Sequence, residues 1–380
     1  MTEHPADRPL RVVDFTLVMA GPFCTRMFAD IGAEVIKVEP PTGDTMRGRP
    51  PMEDGHSRYF GHLNCGKHSL AADLKNPDDL ALVRDVIATA DVVVENYRPG
   101  VMDRLGLGYE ALRALNPRLI YCSISGFGQE GRAAKQPAYA PMIHAASGFD
   151  LALMGFAPEA DRPAPTGMFT ADVMAGIYAF GAVQTALYQR EKTGEGQRID
   201  VALMDSILSL MVYECQAAQA PQARPRHVYG PLKASDGFVI AAPLSQKNFD
   251  SLGVLLGNPG WIADDRFATA AGREANWAEI MQHIEVWTAT RPAAECERLM
   301  LAAGVPCARY RTVAEAMADP ALADRGLLQT VGETGASYQV FNPPFKMSGC
   351  DVRARERVPD LDEARARLLR EVAAPTDRTE

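Results

Sequence analysis

Features that the 380-residue sequence lacks restrict what it can do. Lysine and arginine total 39 against 48 aspartates and glutamates, which gives a net charge of −9 and argues against a general nucleic-acid binder. The seven cysteines are scattered, and no two form a CxxC pair. This pattern argues against a zinc site or a disulfide framework and is typical of reduced thiols in a cytoplasm.

Long hydrophobic segments are also scarce. The N-terminal stretch MTEHPADRPLRVV has no apolar core of the kind found in secretory signals, so no signal is predicted. The apolar run at residues 173–188 includes Gln184 and Thr185 and is shorter than the roughly 20 residues that span a bilayer. We therefore expect a buried core helix there, a cytoplasmic protein, and neither a membrane nor a nucleic-acid partner.

The N-terminal part of the chain alternates between strand and helix patterns. Strands are predicted at residues 11–16, 34–39, 68–74, 91–97 and 119–125, with helices between them. Asn76 and Pro77 are a typical cap and first residue of one such helix. Apolar strands separated by helices predict an α/β fold, with a parallel sheet that helices cover on both faces.

The rest of the chain is less regular. An apolar helix is predicted from residue 201, a Pro- and Arg-rich linker at 221–230, a strand at 236–243 and an extended piece at 304–310. A last strand-rich piece at 337–349 is expected to need a partner sheet far back in the sequence. The charged tail from residue 353 is expected to be helical in part.

Ligands of parallel sheets bind beyond the carboxyl ends of the strands. The residues that follow predicted strands here are Val18, Met19, Ala20, Lys75, Asn96, Tyr97 and Arg98, with Arg104 shortly after. Three cations and an amide would then face an anionic, phosphate-bearing ligand. On pattern alone, solvated surface charges are an equally good explanation of the three cations.

Residues 126–131, GFGQEG, match the G-x-G-x-x-G pattern after a strand. A dinucleotide site also requires a helix that opens on this loop, but the following RAAKQPAYAP has two prolines and no amphipathic period. We therefore predict a loop and no nicotinamide site.

Several long stretches carry a resemblance to a known family. They are VVDFTLVMAGPFCTRMFADIGAEVIKVEPPTGDTMR, YFGHLNCGKHSLAADLK, DVVVENYRPGVMDRLGLGYEALRALNPRLIYCSISGFGQEG and GIYAFGAVQTALYQREKTGEGQRIDVALMDS. With weaker echoes up to residue 349, they make the chain resemble family III CoA-transferases. This group includes formyl-CoA transferase, carnitine CoA-transferases and 2-methylacyl-CoA racemases.

The resemblance implies a Rossmann-like large domain that holds CoA, as a substrate, at its sheet edge, with no tightly bound cofactor and no metal. It places Lys75, Asn96 and Arg104 at CoA contacts, with Arg98 and Ala20 beside them. The full set of expected CoA-binding residues is Val18, Met19, Ala20, Ala72, Lys75, Asn96, Tyr97, Arg98 and Arg104.

The resemblance also implies how the chain is divided. The N-terminal part of the large CoA-binding domain is expected at residues 1–200, a helix and linker at 201–228, and a smaller α/β domain at 229–315. Residues 316–380 are expected to form a linker and a C-terminal return to the large domain. Chains of this family form rings, and two rings interlock, so an interlocked homodimer is expected.

Asp172 stands at the leading end of the apolar helix, and the resemblance places the family's nucleophilic aspartate there. From the residues alone, Thr170 is expected to cap this helix, so that first-turn N–H groups keep the Asp172 carboxylate ionised. Its attack on an acyl-CoA would give an aspartyl anhydride and then an aspartyl-CoA thioester. Backbone N–H groups near Gly126 and Gly128 are expected to stabilise the oxyanions. Without the resemblance, an acid that only complements the helix dipole is the simpler explanation.

Tyr139 distinguishes two reactions within the family. Racemases pair the aspartate with a histidine, so that two bases flank an acidic α-carbon, whereas transferases have a tyrosine at that position, as this chain does in AYAPMIHAASG. His144 is expected to be a packed helix residue rather than a displaced base. CoA transfer to a free carboxylic acid is therefore the leading prediction, and 2-methylacyl-CoA racemisation is the alternative.

Substrate choice is less well defined. Met19 replaces a glutamine of formyl-CoA transferase, and residues 220–235 lack that enzyme's glycine run, so formyl and oxalate substrates are not expected. A dicarboxylic acid would suit the side chains expected near the site, which are Arg47, Arg49, His56, Arg58 and Tyr59. Structural salt bridges are the other common role of such arginines. A non-catalytic CoA-binding protein on the same fold is the alternative of another class.

Overall fold

The computed structural model describes residues 8–157, 159–220, 228–243, 245–258, 260–332 and 337–373. Most of the predicted linker at 221–230 and the end of the charged tail lie outside these residues. The chain divides into two compact units, which are residues 1–219 together with 323–380, and residues 220–322.

A parallel sheet forms the centre of the first unit. The strands up to residue 202 are β1 (Arg11–Asp14), β2 (Glu34–Glu39), β3 (Met52–Glu53), β4 (His56–Ser57), β5 (His68–Ala71), β6 (Val92–Glu95), β7 (Ile120–Ser125) and β8 (Arg198–Ala202). β3 and β4 form a short hairpin, and the other six strands lie in the order β5-β2-β1-β6-β7-β8 with every neighbouring pair parallel. The five predicted strands are confirmed; β2 has the predicted bounds, and the other four are shorter than predicted. The helix predicted from residue 201 begins two residues late, because residues 201 and 202 belong to β8.

Helices connect and cover these strands. They are α1 (Ala20–Asp30), α2 (Arg58–Asn64), α3 (Pro77–Ala88), α4 (Val101–Arg104), α5 (Tyr109–Leu115), α6 (Ala140–Ala146), α7 (Phe149–Met154), α8 (Thr170–Thr193), α9 (Leu203–Leu210) and α10 (Val212–Gln219), with a short 3-10 turn at Thr45–Gly48. The predicted cap of α3 is confirmed, because the Asn76 side chain accepts backbone N–H groups of the first turn and Pro77 is the first helical residue.

Both faces of the sheet are buried, as predicted. Val12, Cys24 and Ala175 belong to the core between the sheet, α1 and α8, while Val13 and Val86 belong to the core on the opposite face. Gly176 allows α8 to lie close to α1, since a Cβ at this position would be 2.7 Å from the carbonyl oxygen of Ala20. The predicted core helix at 173–188 thus lies within α8, and one side of it is buried. Among the described residues, no helix is both long and apolar enough to cross a membrane.

The second unit combines a small antiparallel sheet with helices. Its strands are β9 (Leu232–Ala234), β10 (Gly237–Ala241) and β11 (Cys307–Arg309), in the order β11-β10-β9. The helices from here to residue 324 are α11 (Gln246–Leu255), α12 (Gly260–Ala263), α13 (Ala270–Ala275), α14 (Trp277–Thr288), α15 (Ala293–Ala302), α16 (Val313–Met317) and α17 (Pro320–Asp324). All three tryptophans of the chain, Trp261, Trp277 and Trp287, lie in this unit.

The C-terminal part of the chain belongs to the first unit. It contains β12 (Leu328–Val331), β13 (Tyr338–Phe341) and α18 (Arg365–Ala373). The expectation that the last strand needs a sheet far back in the sequence is wrong, because β13 pairs with the adjacent β12. The segment before α18 nevertheless covers the edge of β5. Ala364 N–H donates to the carbonyl of Ser69 at 2.9 Å, and Ala71 N–H donates to the Asp362 carboxylate at 2.9 Å.

Candidate functional site

A cleft of about 520 Å³ opens at the carboxyl edge of the large sheet. Its walls come from the segments that follow β1, β6 and β7 and from the starts of α6, α8 and α9. The predicted site residues that line it are Val18, Ala20, Asn96, Tyr97, Arg98, Gly126, Tyr139 and Asp172. The structure therefore brings most of the candidate residues into one cavity.

The remaining predicted residues lie outside this cleft. Met19 precedes α1, Ala72 is buried just after β5, and Gly128 lies in the loop after β7 with a φ of 83°. Lys75 is exposed in the turn before α3, and Arg104 is exposed at the end of α4. Neither cation has a side-chain partner within the described ranges, so both can meet a ligand that extends beyond the cleft.

The turn between β1 and α1 forms one wall of the cleft and is strained. Val18 has a φ of 69°, which is an outlier for a β-branched residue. The Asn96 side chain holds the preceding residue at two points, since its Oδ1 accepts the Leu17 N–H at 2.9 Å and its Nδ2 donates to the Leu17 carbonyl at 2.8 Å. Ala20 N–H donates to the Asp172 carboxylate. Asn96, which is expected to contact CoA, and Asp172, the candidate nucleophile, therefore both hold this turn in place.

A buried charge network supports this turn from below. Asp14 and Lys67 are fully buried and form an ion pair, with Lys67 Nζ 3.0 Å from Asp14 Oδ2. Asp14 also accepts the N–H of Thr16, and Lys37 Nζ donates to the Thr16 carbonyl at 2.6 Å. Burial alone would raise the pKa of Asp14, but the two lysines hold it below its ordinary value. This network was not predicted, although charged residues inside apolar strands were a visible signal.

Asp172 occupies the first turn of α8, but the local cap differs from the prediction. Thr170 is the first helical residue, and Phe169 precedes the helix without a capping side chain. Burial raises the pKa of Asp172 to about 6, although the Ala20 N–H opposes the rise. Loss of solvation therefore outweighs the helix-end effect that the sequence suggested. Most Asp172 side chains are still ionised at neutral pH, with a more basic carboxylate than an exposed aspartate.

His144 lies in α6 and is fully buried, which confirms that it is a packed helix residue. Its Nε2 accepts the backbone N–H of Ala171 at 3.1 Å. Because this lone pair is already occupied, His144 cannot take a proton from a substrate in the cleft through Nε2. Tyr139, at the N-terminal end of α6, is 63% exposed and lines the cleft itself.

Ser125 is a cleft residue that was not predicted. It ends β7, is 7% exposed, and its Oγ has no hydrogen-bond partner in the part of the chain that the structure describes. The next residue must be glycine, because a Cβ at Gly126 would lie 2.6 Å from the Cβ of Ala138. Beyond it, the Gln129 N–H donates to the Asp200 carboxylate at 2.8 Å, and no helix opens on this loop, as expected.

The residues suggested for a second carboxylate have different environments. Arg47 pairs with Glu39 at 2.7 Å, and Arg58 pairs with Glu53 at 2.6 Å, so both arginines serve structural ion pairs. Exposed His56 instead borders a different cleft, which it shares with Arg47.

Tyr59 is the member of this group whose pKa Asp172 affects. Burial raises the pKa of Tyr59, the Asp172 charge raises it further, and Arg49 lowers it. Arg49 is exposed, and its guanidinium has no partner within the described ranges. The charges of both Asp172 and Arg49 therefore reach Tyr59.

Comparison with known proteins identifies the family of the chain. The sequence pattern of CoA-transferase family III matches residues 8–365. The chain is 37% identical to acetyl-CoA:oxalate CoA-transferase of Acetobacter aceti, over 99% of each chain. It is 36% identical to succinate–glutarate CoA-transferase of Agrobacterium fabrum, over 98% of each. A crystal structure of a CAIB/BAIF family protein from Brucella suis is 34% identical, with a TM-score of 0.83, and the match covers 96% of this chain and 98% of that one.

Proposed function

We propose, from the premise that this chain belongs to CoA-transferase family III, that its transfer of CoA between carboxylic acids proceeds through Asp172. The observation that carries the proposal is a partly buried, basic carboxylate that lines a cleft at the sheet edge. The Acetobacter aceti and Agrobacterium fabrum relatives are both CoA-transferases by name, which favours this function over a non-catalytic CoA-binding role.

The proposed reaction balances without any net proton transfer. An Asp172 carboxylate oxygen attacks the thioester carbonyl, the C–S bond breaks, and an aspartyl anhydride and CoA thiolate form. The thiolate attacks the aspartyl carbonyl and expels the donor acid, which leaves an aspartyl-CoA thioester. The acceptor carboxylate then attacks this thioester, the C–S bond breaks, and a second anhydride and CoA thiolate form. The thiolate attacks the acceptor's carbonyl in this anhydride, and the bond to the Asp172 oxygen breaks to release acyl-CoA and free Asp172. Four attacks through covalent intermediates on Asp172 thus replace one direct exchange.

Each attack places negative charge on a carbonyl oxygen, which needs a donor. Gly126 lines the cleft wall, and its backbone N–H is the proposed donor. The neighbouring Ser125 hydroxyl is buried and has no hydrogen-bond partner among the described residues. We assign oxyanion stabilisation to this strand end, where a preorganised donor contributes more than it would in water. Gly128 lies farther along the loop, and its role is conformational, because its φ of 83° is one that glycine adopts readily.

Lys75, Arg98 and Arg104 are proposed to hold the phosphates of CoA. Alanine at either Lys75 or Arg104 is expected to weaken acyl-CoA binding about 10-fold or more, since a charge-assisted contact contributes on the order of 1.5–3 kcal/mol. Each loss should also flatten the dependence of binding on salt. Arg113→Ala, which removes an exposed cation of α5, is the matched control. Titration calorimetry that finds parental affinity in both variants would show that the phosphates bind elsewhere.

The acceptor is proposed to be a dicarboxylic acid whose second carboxylate meets Arg49. The Acetobacter aceti and Agrobacterium fabrum enzymes act on oxalate, succinate or glutarate according to their names. Arg49 lowers the pKa of Tyr59, whose pKa the Asp172 charge raises, and its guanidinium has no partner among the described residues. A screen of acyl-CoA donors against mono- and dicarboxylic acids, with product acyl-CoA identified by mass, tests the function. The screen includes oxalate, although Met19 and the absence of a glycine run at residues 220–235 argue against it. A screen in which no pair exchanges CoA would refute the proposed function.

Racemisation is expected to be slow. A phenol is a poor base at neutral pH, and the His144 lone pair at Nε2 is occupied by the Ala171 N–H, so no second base flanks the α-carbon. A 2-methylacyl-CoA incubated with the enzyme in deuterated water should therefore gain little deuterium at that carbon. Rapid incorporation, measured by mass spectrometry of the recovered thioester, would reverse the ranking of the two reactions.

A homodimer, interlocked as in the family, is proposed on the exposed apolar side of α8 and the helices that follow. Ile177 on α8 is 45% exposed and Val212 on α10 is 68% exposed, and contiguous exposed apolar surface marks protein–protein contacts. Light scattering should report a dimer at all practical concentrations. Ile177→Glu should shift it towards monomer, whereas Leu301→Glu, at a 54% exposed position of the second unit, should not. A parent protein that is monomeric throughout would contradict this assembly.

A further inference from the structure

Helix α8 carries the candidate nucleophile but has no cap of its own. The first N–H groups of a helix lack partners within the helix and are normally met by a nearby Ser, Thr, Asp or Asn. Phe169 stands at the cap position and offers no such side chain. The N–H of Ala171, one residue before Asp172, is instead accepted by His144 from α6 at 3.1 Å.

The His144 ring is held in one place and one protonation state. It is fully buried and packs against the Phe149 ring, with centroids 5.3 Å apart. A donated N–H requires a lone pair on Nε2, so the proton of the neutral ring lies on Nδ1. Burial lowers the pKa of His144, although Asp150 on α7 opposes this. Nδ1 has no partner among the described residues, a cost that ordinary core packing by a leucine would avoid.

We propose that His144 is the positioning residue of the nucleophile, because its Nε2 fixes the Ala171 amide and thereby aims the Asp172 carboxylate into the cleft. The inference rests on the proposed role of Asp172. Asp172 then has two supports, which are the Ala20 N–H on its carboxylate and the histidine on the preceding amide. Displacement of a reacting group by about 1 Å can cost on the order of 10²-fold in rate, so such a support affects the covalent step more than substrate binding.

Three variants separate the hydrogen bond from mere packing. His144→Leu keeps an apolar side chain of similar size but removes the acceptor. His144→Gln offers a carbonyl oxygen at about the reach of Nε2, and His144→Asn offers the same oxygen on a side chain that is one carbon shorter. His283→Leu removes an exposed histidine of the second unit, whose Nδ1 lies 2.9 Å from the carbonyl of Glu279, and is the control.

The measurements are kcat and KM for acyl-CoA and the rate at which donor acyl-CoA alone labels Asp172, followed by peptide mass spectrometry. Leu and Asn at position 144 should lower kcat and the labelling rate by about 10- to 100-fold with little change in KM. His144→Gln should restore both kcat and the labelling rate, and the His283→Leu control should match the parent in both. Parental labelling in folded His144→Leu, or equal impairment in Gln and Asn, would overturn the positioning role. If His144→Leu does not fold, the comparison of His144→Gln with His144→Asn tests the positioning role. A parent that labels elsewhere than Asp172 would overturn the proposed nucleophile, and the positioning role with it.

Discussion

Asp172→Asn is expected to abolish CoA transfer while the protein stays folded. Asparagine has nearly the same shape and can accept the Ala20 N–H through its amide oxygen, but the neutral amide does not form an anhydride with an acyl-CoA. No other carboxylate lines the cleft among the described residues. The rate should therefore fall by at least about 10³-fold, as is typical when a covalent nucleophile is removed.

The same substitution should make the protein more stable at neutral pH. Burial raises the pKa of Asp172 from 3.8 to about 6, so between these values the folded state binds a proton that the unfolded state releases. The contribution of protonated Asp172 to the free energy of unfolding is fully present below pH 3.8 and is lost as the pH rises through about 6. Asparagine does not ionise, so at neutral pH the variant should gain up to about 2–3 kcal/mol in free energy of unfolding. Transfer by the parent should decline below the same pKa, because protonated Asp172 is not a nucleophile.

Covalent labelling provides the measurement. Parent enzyme with a donor acyl-CoA and no acceptor should carry an acyl or CoA adduct on the Asp172 peptide, which hydroxylamine converts to a hydroxamate. The matched control is Glu191→Gln, at the far end of α8, where Glu191 makes only a surface pair with Arg118 at 3.7 Å. Substantial transfer by Asp172→Asn, with deamidation excluded, would show that Asp172 is only a helix-end acid.

Of the substitutions proposed here, Lys67→Met is expected to lower the free energy of unfolding most. The Lys67 ammonium is fully buried and contacts the Asp14 carboxylate, Thr25 Oγ1 and Asn64 Oδ1 within 3.0 Å. Removal of one partner of a buried pair leaves an uncompensated buried charge, which typically costs about 3–5 kcal/mol. Because the pair lies beneath the β1–α1 turn, the remaining folded protein should also lose transfer activity.

Tryptophan fluorescence is the wrong probe for this loss, since all three tryptophans lie in residues 220–322. Amide hydrogen exchange in β1 and β6 reports on the affected sheet and should speed up in Lys67→Met. Arg58→Met breaks the more exposed Arg58–Glu53 pair and should cost no more than about 1 kcal/mol. Adding Asp14→Asn to Lys67→Met should recover part of the loss. Unchanged exchange in Lys67→Met would mean that the network does not stabilise the sheet.

Much of the larger unit could be predicted because its signals are local. Asn76 and Pro77 mark the start of α3 through short-range rules, and the apolar strands of a sheet buried on both faces are easy to recognise. β8 was missed because it lies at the sheet edge, where Arg198 and Asp200 are exposed and the apolar run is short. The partner of β13 was misplaced because a strand pattern does not state which strand it pairs with.

The site was predictable in outline for a topological reason, since the ends of parallel strands share one edge. The prediction of Thr170 as the cap was wrong because the Ala171 N–H is accepted by His144. This histidine lies 27 residues before Ala171 in sequence, so a local rule does not identify it. The raised pKa of Asp172 was not predictable from its helix position either. It depends on how much solvent the surrounding segments exclude, which is a property of the assembled cleft.

The return of the C-terminal segment to β5 has a consequence for synthesis. Asp362, which accepts the N–H of Ala71, is 291 residues farther along the chain. At about 5–20 residues per second, the ribosome needs roughly 15–60 s to supply it. Throughout that interval the outer edge of β5 is an open template for pairing with other nascent chains. Because residues 323–380 belong to the first unit, this unit cannot be completed until the whole second unit has been synthesised. The uncovered edge of β5 is the part of the sheet that a chaperone would have to protect in the meantime.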